Sequence, residues 1–301
     1  MACIVGRSGS LNSLLGKCED MHMVDSGLAV EIRTRPSSAD NADPELDPRH
    51  EWPAAGPDER CRVLLIYPNY RGMNMLPPAI GLLSAVLLEG GHEVQVFDTT
   101  YYESVDGETE LADSDGKKSE QLMARPYEMP VELTLKTSDV LDDFAQMIDS
   151  FKPDLLALSC TEDMWHLGLR LLRHIRPTRR ILTVAGGVFP TFAAELVLGH
   201  DEIDIVCKGE GEIALRKLAD RVGRDQDYTD IPNLLTMNEI GLIRSNPIEM
   251  VDMNSNPLID LSHFEEARFY RPMGGRVWRM FPVETHRGCP YKCAFCNSPS
   301  Q

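Results

Sequence analysis

Positive charge is in short supply in this sequence relative to negative charge. Thirty Lys and Arg stand against 47 Asp and Glu, so the 301-residue chain carries a formal charge of −17. Such a surface repels phosphate backbones and anionic lipid, which argues against nucleic-acid or membrane-surface partners. Long apolar runs are missing as well. The longest uncharged stretch, 72–88, opens on Gly72 and contains Pro77 and Pro78. Its helix-competent part, 79–88, falls well short of the roughly 20 residues a bilayer needs, so it reads as a buried helix and no membrane insertion is expected. The N-terminus, MACIVGRSGS, lacks a basic region leading into an apolar block. No secretory signal is therefore expected, and the expected location is cytoplasmic. Nor is there the dense, even cysteine pattern of a small secreted scaffold. Cys3, Cys18, Cys61, Cys160 and Cys207 lie far apart and are expected as small core hydrophobes, whereas Cys289, Cys293 and Cys296 fall within eight residues.

What is present is an ordinary globular balance, 43% hydrophobic and 26% charged, in a chain long enough for about two domains. Residues 1–59 lack sustained periodicity. The stretch RPSSADNADPELDPRHEWPAAGPDER is rich in proline and acids, and reads as a disordered leader. From Cys61 the pattern changes to alternating strands and helices. Apolar strand-length runs occur at 61–67, 92–97, 154–159, 180–185 and 203–206, with helical spacing at 79–89, 138–151, 164–176, 192–198 and 212–222. Near-continuous apolar strands at this spacing predict an α/β domain over 60–226, a doubly wound, flavodoxin-like parallel sheet of five strands. Residues 233–244 read as a β-hairpin and 246–280 as irregular, within a linker over 227–279. A short strand, 280–285, then leads into HRGCPYKCAFC.

The sharpest signal is Cys289-x-x-x-Cys293-x-x-Cys296. Three thiolates this close can converge on one metal centre, and sulfur ligands select zinc or iron–sulfur. A closed zinc site needs four ligands, and His286 could supply the fourth. In a doubly wound sheet ligands sit beyond the carboxyl ends of the strands, where Asn69, Tyr70, Ser159, Thr161, Gly186, Gly187, Pro190 and Thr191 fall. Gly186 and Gly187 would let a ligand approach the backbone, or only make a tight turn. Ser159 and Thr161 could hydrogen-bond a ligand. Glu210 and Glu212 could simply favour a helix start. His92 reads as a surface or packing residue, while Trp165 and His166 either pack on the sheet or line the cleft.

The run Thr285-His-Arg-Gly-Cys-Pro-Tyr-Lys-Cys-Ala-Phe-Cys296 resembles the cluster loop of radical S-adenosylmethionine enzymes. The resemblance implies that Cys289, Cys293 and Cys296 hold a [4Fe–4S] cluster with one open iron. S-adenosylmethionine would bind there, with Phe295 on its side, and yield a 5′-deoxyadenosyl radical. Upstream, Pro77-Pro78-Ala-Ile-Gly81, Gly91-His92-Glu93-Val94, Ala185-Gly186-Gly187-Val-Phe-Pro190-Thr191 and Gly209-Glu210-Gly211-Glu212 resemble the cobalamin-binding domain that precedes many such enzymes. The cobalamin side would then comprise Asn69, Tyr70, Ser159, Thr161, Gly186, Gly187, Pro190, Thr191 and Glu210. The loop at 68–73 carries no histidine, so cobalamin would bind without a histidine lower ligand. Residues 280–301 would be the first strand and cluster loop of a truncated, partial TIM barrel. The implied function is methyl transfer to an unactivated carbon of a small-molecule substrate. An external flavodoxin- or ferredoxin-type protein would supply single electrons. A radical cyclase or rearrangement enzyme with the same cofactors, and a non-catalytic cobalamin-binding fragment, are the alternatives.

Overall fold

The computed structural model describes residues 2–6, 54–71, 75–106 and 127–296. The expected leader lies outside the described residues, apart from strand β1 (Ala2–Gly6) and residues 54–59. Five parallel strands form the heart of the sheet: β2 (Arg62–Tyr67), β3 (Glu93–Asp98), β4 (Leu155–Ser159), β5 (Leu182–Gly186) and β6 (Ile205–Cys207). Their spatial order is β3-β2-β4-β5-β6, the flavodoxin-like arrangement. The central strands are buried on both faces, which is why the run Val63 to Ile66 is wholly apolar. Arg62 pins the start of β2 to β4: its backbone N–H and Nε donate to Asp154 Oδ2 at 2.9 and 3.1 Å, and its Nη2 to Oδ1 at 2.9 Å.

Helices cover both faces. On one side α1 (Pro78–Glu89) packs beside the C-terminal helix of the domain, over a core that includes Val63, Leu65, Leu87 and Leu218. On the other side lie α2 (Val140–Phe151) and α3 (Glu162–Ile175), over Leu64, Phe144, Leu158 and Leu172. Asp139 caps α2 by accepting from the Leu141 and Asp142 N–H groups. The single helix expected over 192–198 is instead two short ones, α4 (Val188–Phe192) and α5 (Ala194–Leu198). Ala193, with φ −121° and ψ 37°, leaves helical geometry and breaks them. Helix α6 (Glu212–Gly223) completes the layer beside α1.

Two further differences lie C-terminal to α6. The hairpin, β7 (Leu234–Met237) and β8 (Ile243–Ser245), joins β6 antiparallel and makes the sheet seven-stranded. The free backbone groups of a three-residue edge strand, and the buried Leu234 and Leu235, draw it there. The strand expected over 280–285 is longer and starts earlier, as β10 (Arg276–Val283). It pairs antiparallel with β9 (Tyr270–Met273) and with β1 in a second, three-stranded sheet.

The segment between β8 and β9 is tied down at intervals. Asn233 accepts from the Glu249 N–H at 2.9 Å and donates to the carbonyls of Lys208, Glu210 and Glu249. Asp260 donates its N–H to the Gly81 carbonyl at 2.9 Å, and its Oδ2 accepts from Ser84 Oγ at 2.7 Å. Arg268, wholly buried, is ion-paired with Asp98 and donates to the Met75 carbonyl. A Cβ at position 81 would stand 2.7 Å from the Asp260 carbonyl, so glycine there permits the close approach.

Candidate functional site

These ties carry residues 282–288 across the carboxyl ends of β4, β5 and β6 and close a cavity of about 530 Å³. Its floor is sheet: Leu65, Ala157, Val184 and Cys207. One wall is the start of α1, with Pro78, Ala79, Leu82 and Leu83. Ile248, Met250 and Ile259 come from the tied segment, and Pro282 to Gly288 form the far rim. Such a size, mostly apolar lining and position suit part of a large ligand, such as a heterocycle with its sugar.

Ser159, Gly186, Gly187, Thr191 and Glu210 all line this cavity. Gly187 has φ 99° and ψ −170°, a region that essentially only glycine adopts, and a Cβ there would sit 2.8 Å from the Cys160 carbonyl oxygen. Thr191 Oγ1 accepts from the Gly209 N–H at 3.1 Å, so the turn after β5 braces the turn after β6. The other candidates are placed elsewhere. Asn69 is buried beside β3: its N–H donates to Thr99 Oγ1 at 2.8 Å and its Nδ2 to Thr100 Oγ1 at 2.9 Å. Tyr70 belongs to the core on the α2/α3 side. Thr161 is exposed at the start of α3 without capping it by its side chain, and Pro190 is buried within α4. Loop position alone placed these four at this edge of the sheet, and none of them is among the residues that line the cavity.

Of the residues with two readings, Trp165 packs on Phe189 and His200, and His166 is exposed. His92 is a packing residue, its Nδ1 accepting from the Cys61 N–H at 3.3 Å and its Nε2 lying 3.2 Å from Asp220. Cys61, Cys160 and Cys207 are buried, as expected of core cysteines, while Cys18 lies outside the described residues. Burial, aided by the Glu212 charge, pushes the Cys207 thiol up to about 12, so it faces the cavity as a neutral group.

Cys289, Cys293 and Cys296 are exposed thiols, and Phe295 is 93% exposed. Among the described residues no three His, Cys, Asp or Glu side chains are gathered as a metal site. Helix-by-helix reading missed the polar end of the cavity. Arg287 lies 2.5 Å from Glu212 and 3.3 Å from Glu210, and its Nε and Nη2 each donate to Glu284 at 2.9 Å. The hydrogen bond to Glu284, reinforced by Glu212, raises the Arg287 pKa and keeps it charged. The opposite charge of the motifs GEGE and RGCP is compatible with this cluster but does not say that the two meet.

Residues 123–219 match the family described as B12 binding domain. This stretch of the chain is similar to the B12-binding domain. An uncharacterized methyltransferase, PH0819, of Pyrococcus horikoshii is 29% identical over 53% of this chain and 34% of its own length. The cobalamin-dependent radical SAM methyltransferase TokK of Streptomyces tokunonensis is 27% identical over 71% of this chain and 31% of its own. A solved structure of the cobalamin-dependent S-adenosylmethionine radical enzyme OxsB, with aqua-cobalamin and S-adenosylmethionine bound, covers 68% of this chain and 24% of that one, at 20% identity and a TM-score of 0.47. The chain thus spans about a third of the length of the curated relatives it matches. The matched residues 123–219 include Ala157, Val184 and Cys207 of the cavity floor and the Gly187 turn, and they reach into the helix that begins at Glu212. Among the described residues no helix is long and apolar enough to cross a membrane.

Proposed function

We propose that the chain is the corrinoid-binding and cluster-bearing part of a cobalamin-dependent radical S-adenosylmethionine methyltransferase acting on an unactivated carbon. In this reading 60–226 bind the corrinoid, 227–279 link, and 280–301 open the radical domain behind a leader at 1–59. The observation that carries it is the cavity itself. Gly186 and Gly187 at its edge lie in the span that matches the B12-binding domain, and its rim is the segment that runs directly into Cys289. The residues fit part of the cofactor. Gly186 and Gly187 line the cavity without side chains, Ser159 offers a hydroxyl, and α1 supplies an apolar wall.

When bound, the cluster and S-adenosylmethionine supply a hydrogen-abstracting radical and cobalamin supplies the methyl group. The chain's own work is to bind and exclude water. Pro78, Leu82, Leu83, Ile248, Met250 and Ile259 keep the cavity dry. Cys289, Cys293 and Cys296 offer three exposed thiols, the soft donors an iron–sulfur cluster takes. Phe295 would stand on the S-adenosylmethionine side. A small-molecule substrate and an external single-electron donor complete the proposal.

Two measurements test it. Titration with hydroxocobalamin should perturb the corrin absorbance and saturate at one equivalent, and the absence of binding would overturn the corrinoid assignment. Anaerobic loading with iron and sulfide should give about four irons per chain. Cys293→Ala should lose them; unchanged metal content in that variant removes the cluster from the proposal.

A further inference from the structure

Arg287 stands two residues before the first of the three cysteines, yet two of its three charge partners lie in the span that matches the B12-binding domain. Glu210 and Glu212 occupy the turn from β6 into α6, 75 or more residues earlier in the chain. The contact is largely dry: the side chains of Arg287, Glu210 and Glu212 are 19%, 15% and 7% exposed. Each carboxylate is also held from its own side. Glu212 is the first residue of α6, where the helix end favours negative charge. Glu210 accepts a second hydrogen bond, from the Val251 N–H. Glu284 meets the same guanidinium from within the rim. Without a cation the turn would hold two sheltered carboxylates side by side, which is strongly unfavourable. A guanidinium spreads five donors over three nitrogens in a fixed plane and so reaches three carboxylates in one geometry, whereas the three donors of a lysine radiate from a single nitrogen and hold no fixed fork.

We propose that Arg287 is a positioning residue, a clamp that fixes the cysteine-bearing rim onto the β6–α6 turn and thereby sets the separation between the cluster site and the corrinoid cavity. This role rests on the assignment of the corrinoid to the cavity and the cluster to the three cysteines. Arg287 touches no reacting atom; it acts through the rim that ends at Cys289.

Hydrogen exchange on the cofactor-free chain reads the clamp directly. Arg287→Met and Glu212→Gln should each speed amide exchange over 282–288 roughly tenfold, the effect of losing a charge-assisted hydrogen bond. Arg287→Lys should recover part of it. The double variant should be no faster than Arg287→Met alone, because the two side chains share one interaction. Arg173→Met, which breaks the distant pair with Glu202, should leave those amides unchanged. Should Arg287→Met not fold, Glu212→Gln carries the same test. A second readout is the electron paramagnetic resonance spectrum of protein loaded with iron, sulfide and hydroxocobalamin and then reduced. Magnetic coupling between the two centres should change in Arg287→Met at unaltered iron content. Unchanged exchange over 282–288 overturns the clamp. Faster exchange with unchanged coupling overturns the positioning role. A wild-type chain that takes up no hydroxocobalamin overturns the cofactor reading and the positioning role together, and the exchange data distinguish that failure from a failure of the clamp.

Discussion

At Gly187 the backbone turns through φ 99°, and there is no room for a side chain beside the Cys160 carbonyl. Gly187→Ala should therefore lower stability by about 1–3 kcal/mol through backbone strain alone, seen as a lower urea midpoint with an unchanged slope. A neutral result would mean that the turn relaxes freely. The cysteines divide just as sharply. Burial first, and then neighbouring acids at Cys61 and Cys207, push the Cys61, Cys160 and Cys207 thiols up to about 12. Cys289, Cys293 and Cys296 are exposed. Under native, reducing, metal-free conditions at neutral pH, iodoacetamide should label the last three and spare the first three. Peptide mass spectrometry showing Cys207 labelled at a comparable rate would mean that the cavity floor is open.

Among elements, the segment after β8 shows most clearly how packing overrides composition. Its asparagines and prolines read as a loose linker, yet Phe264 and Phe269 are buried in the same core as α1 and α6. Arg268 reaches Asp98 at the end of β3. Arg268→Met should cost about 3–5 kcal/mol, since it leaves Asp98 sheltered without its cation. Adding Asp98→Asn should restore part of the loss in chemical denaturation; no recovery would show that the guanidinium matters only for packing. Acid should loosen the same segment at a second tie. Burial pulls the Asp260 carboxyl upward, but donors at Ser262 and Ser84 and the nearby His263 outweigh it and hold the group below the ordinary carboxylate range. A depressed folded pKa stabilises above the unfolded value of about 3.9, and the benefit disappears as pH falls through the lower folded value. Pepsin cleavage within 258–264, measured relative to an unstructured peptide substrate at each pH, should accordingly accelerate as pH falls below about 4. Ser84→Ala should move that acceleration to higher pH; a pH-independent rate would remove Asp260 from the tie.

Across the whole molecule the cavity exists because two distant parts of the chain meet over one sheet edge. The five parallel strands were legible in the sequence because strands covered on both faces must be apolar throughout, and Val63 to Ile66 or Leu155 to Leu158 can hardly be read otherwise. The Gly-Gly turn after β5 was legible for the same local reason: backbone geometry is written in the residues themselves. The direction of a loop side chain is not. Asn69 and Tyr70 share an edge of the sheet with Ser159, but the threonines just after β3 and an apolar core claim them. The recruitment of the hairpin to β6 was hidden too, because an edge strand's unmet hydrogen bonds exist only once the sheet is formed. So was the meeting of Arg287 with Glu210 and Glu212. Short-range structure (apolar runs, glycine turns) is encoded within a few neighbouring residues and can be read from them. Pairings across 75 residues depend on how the folded layers bring surfaces together, and no local pattern carries that information.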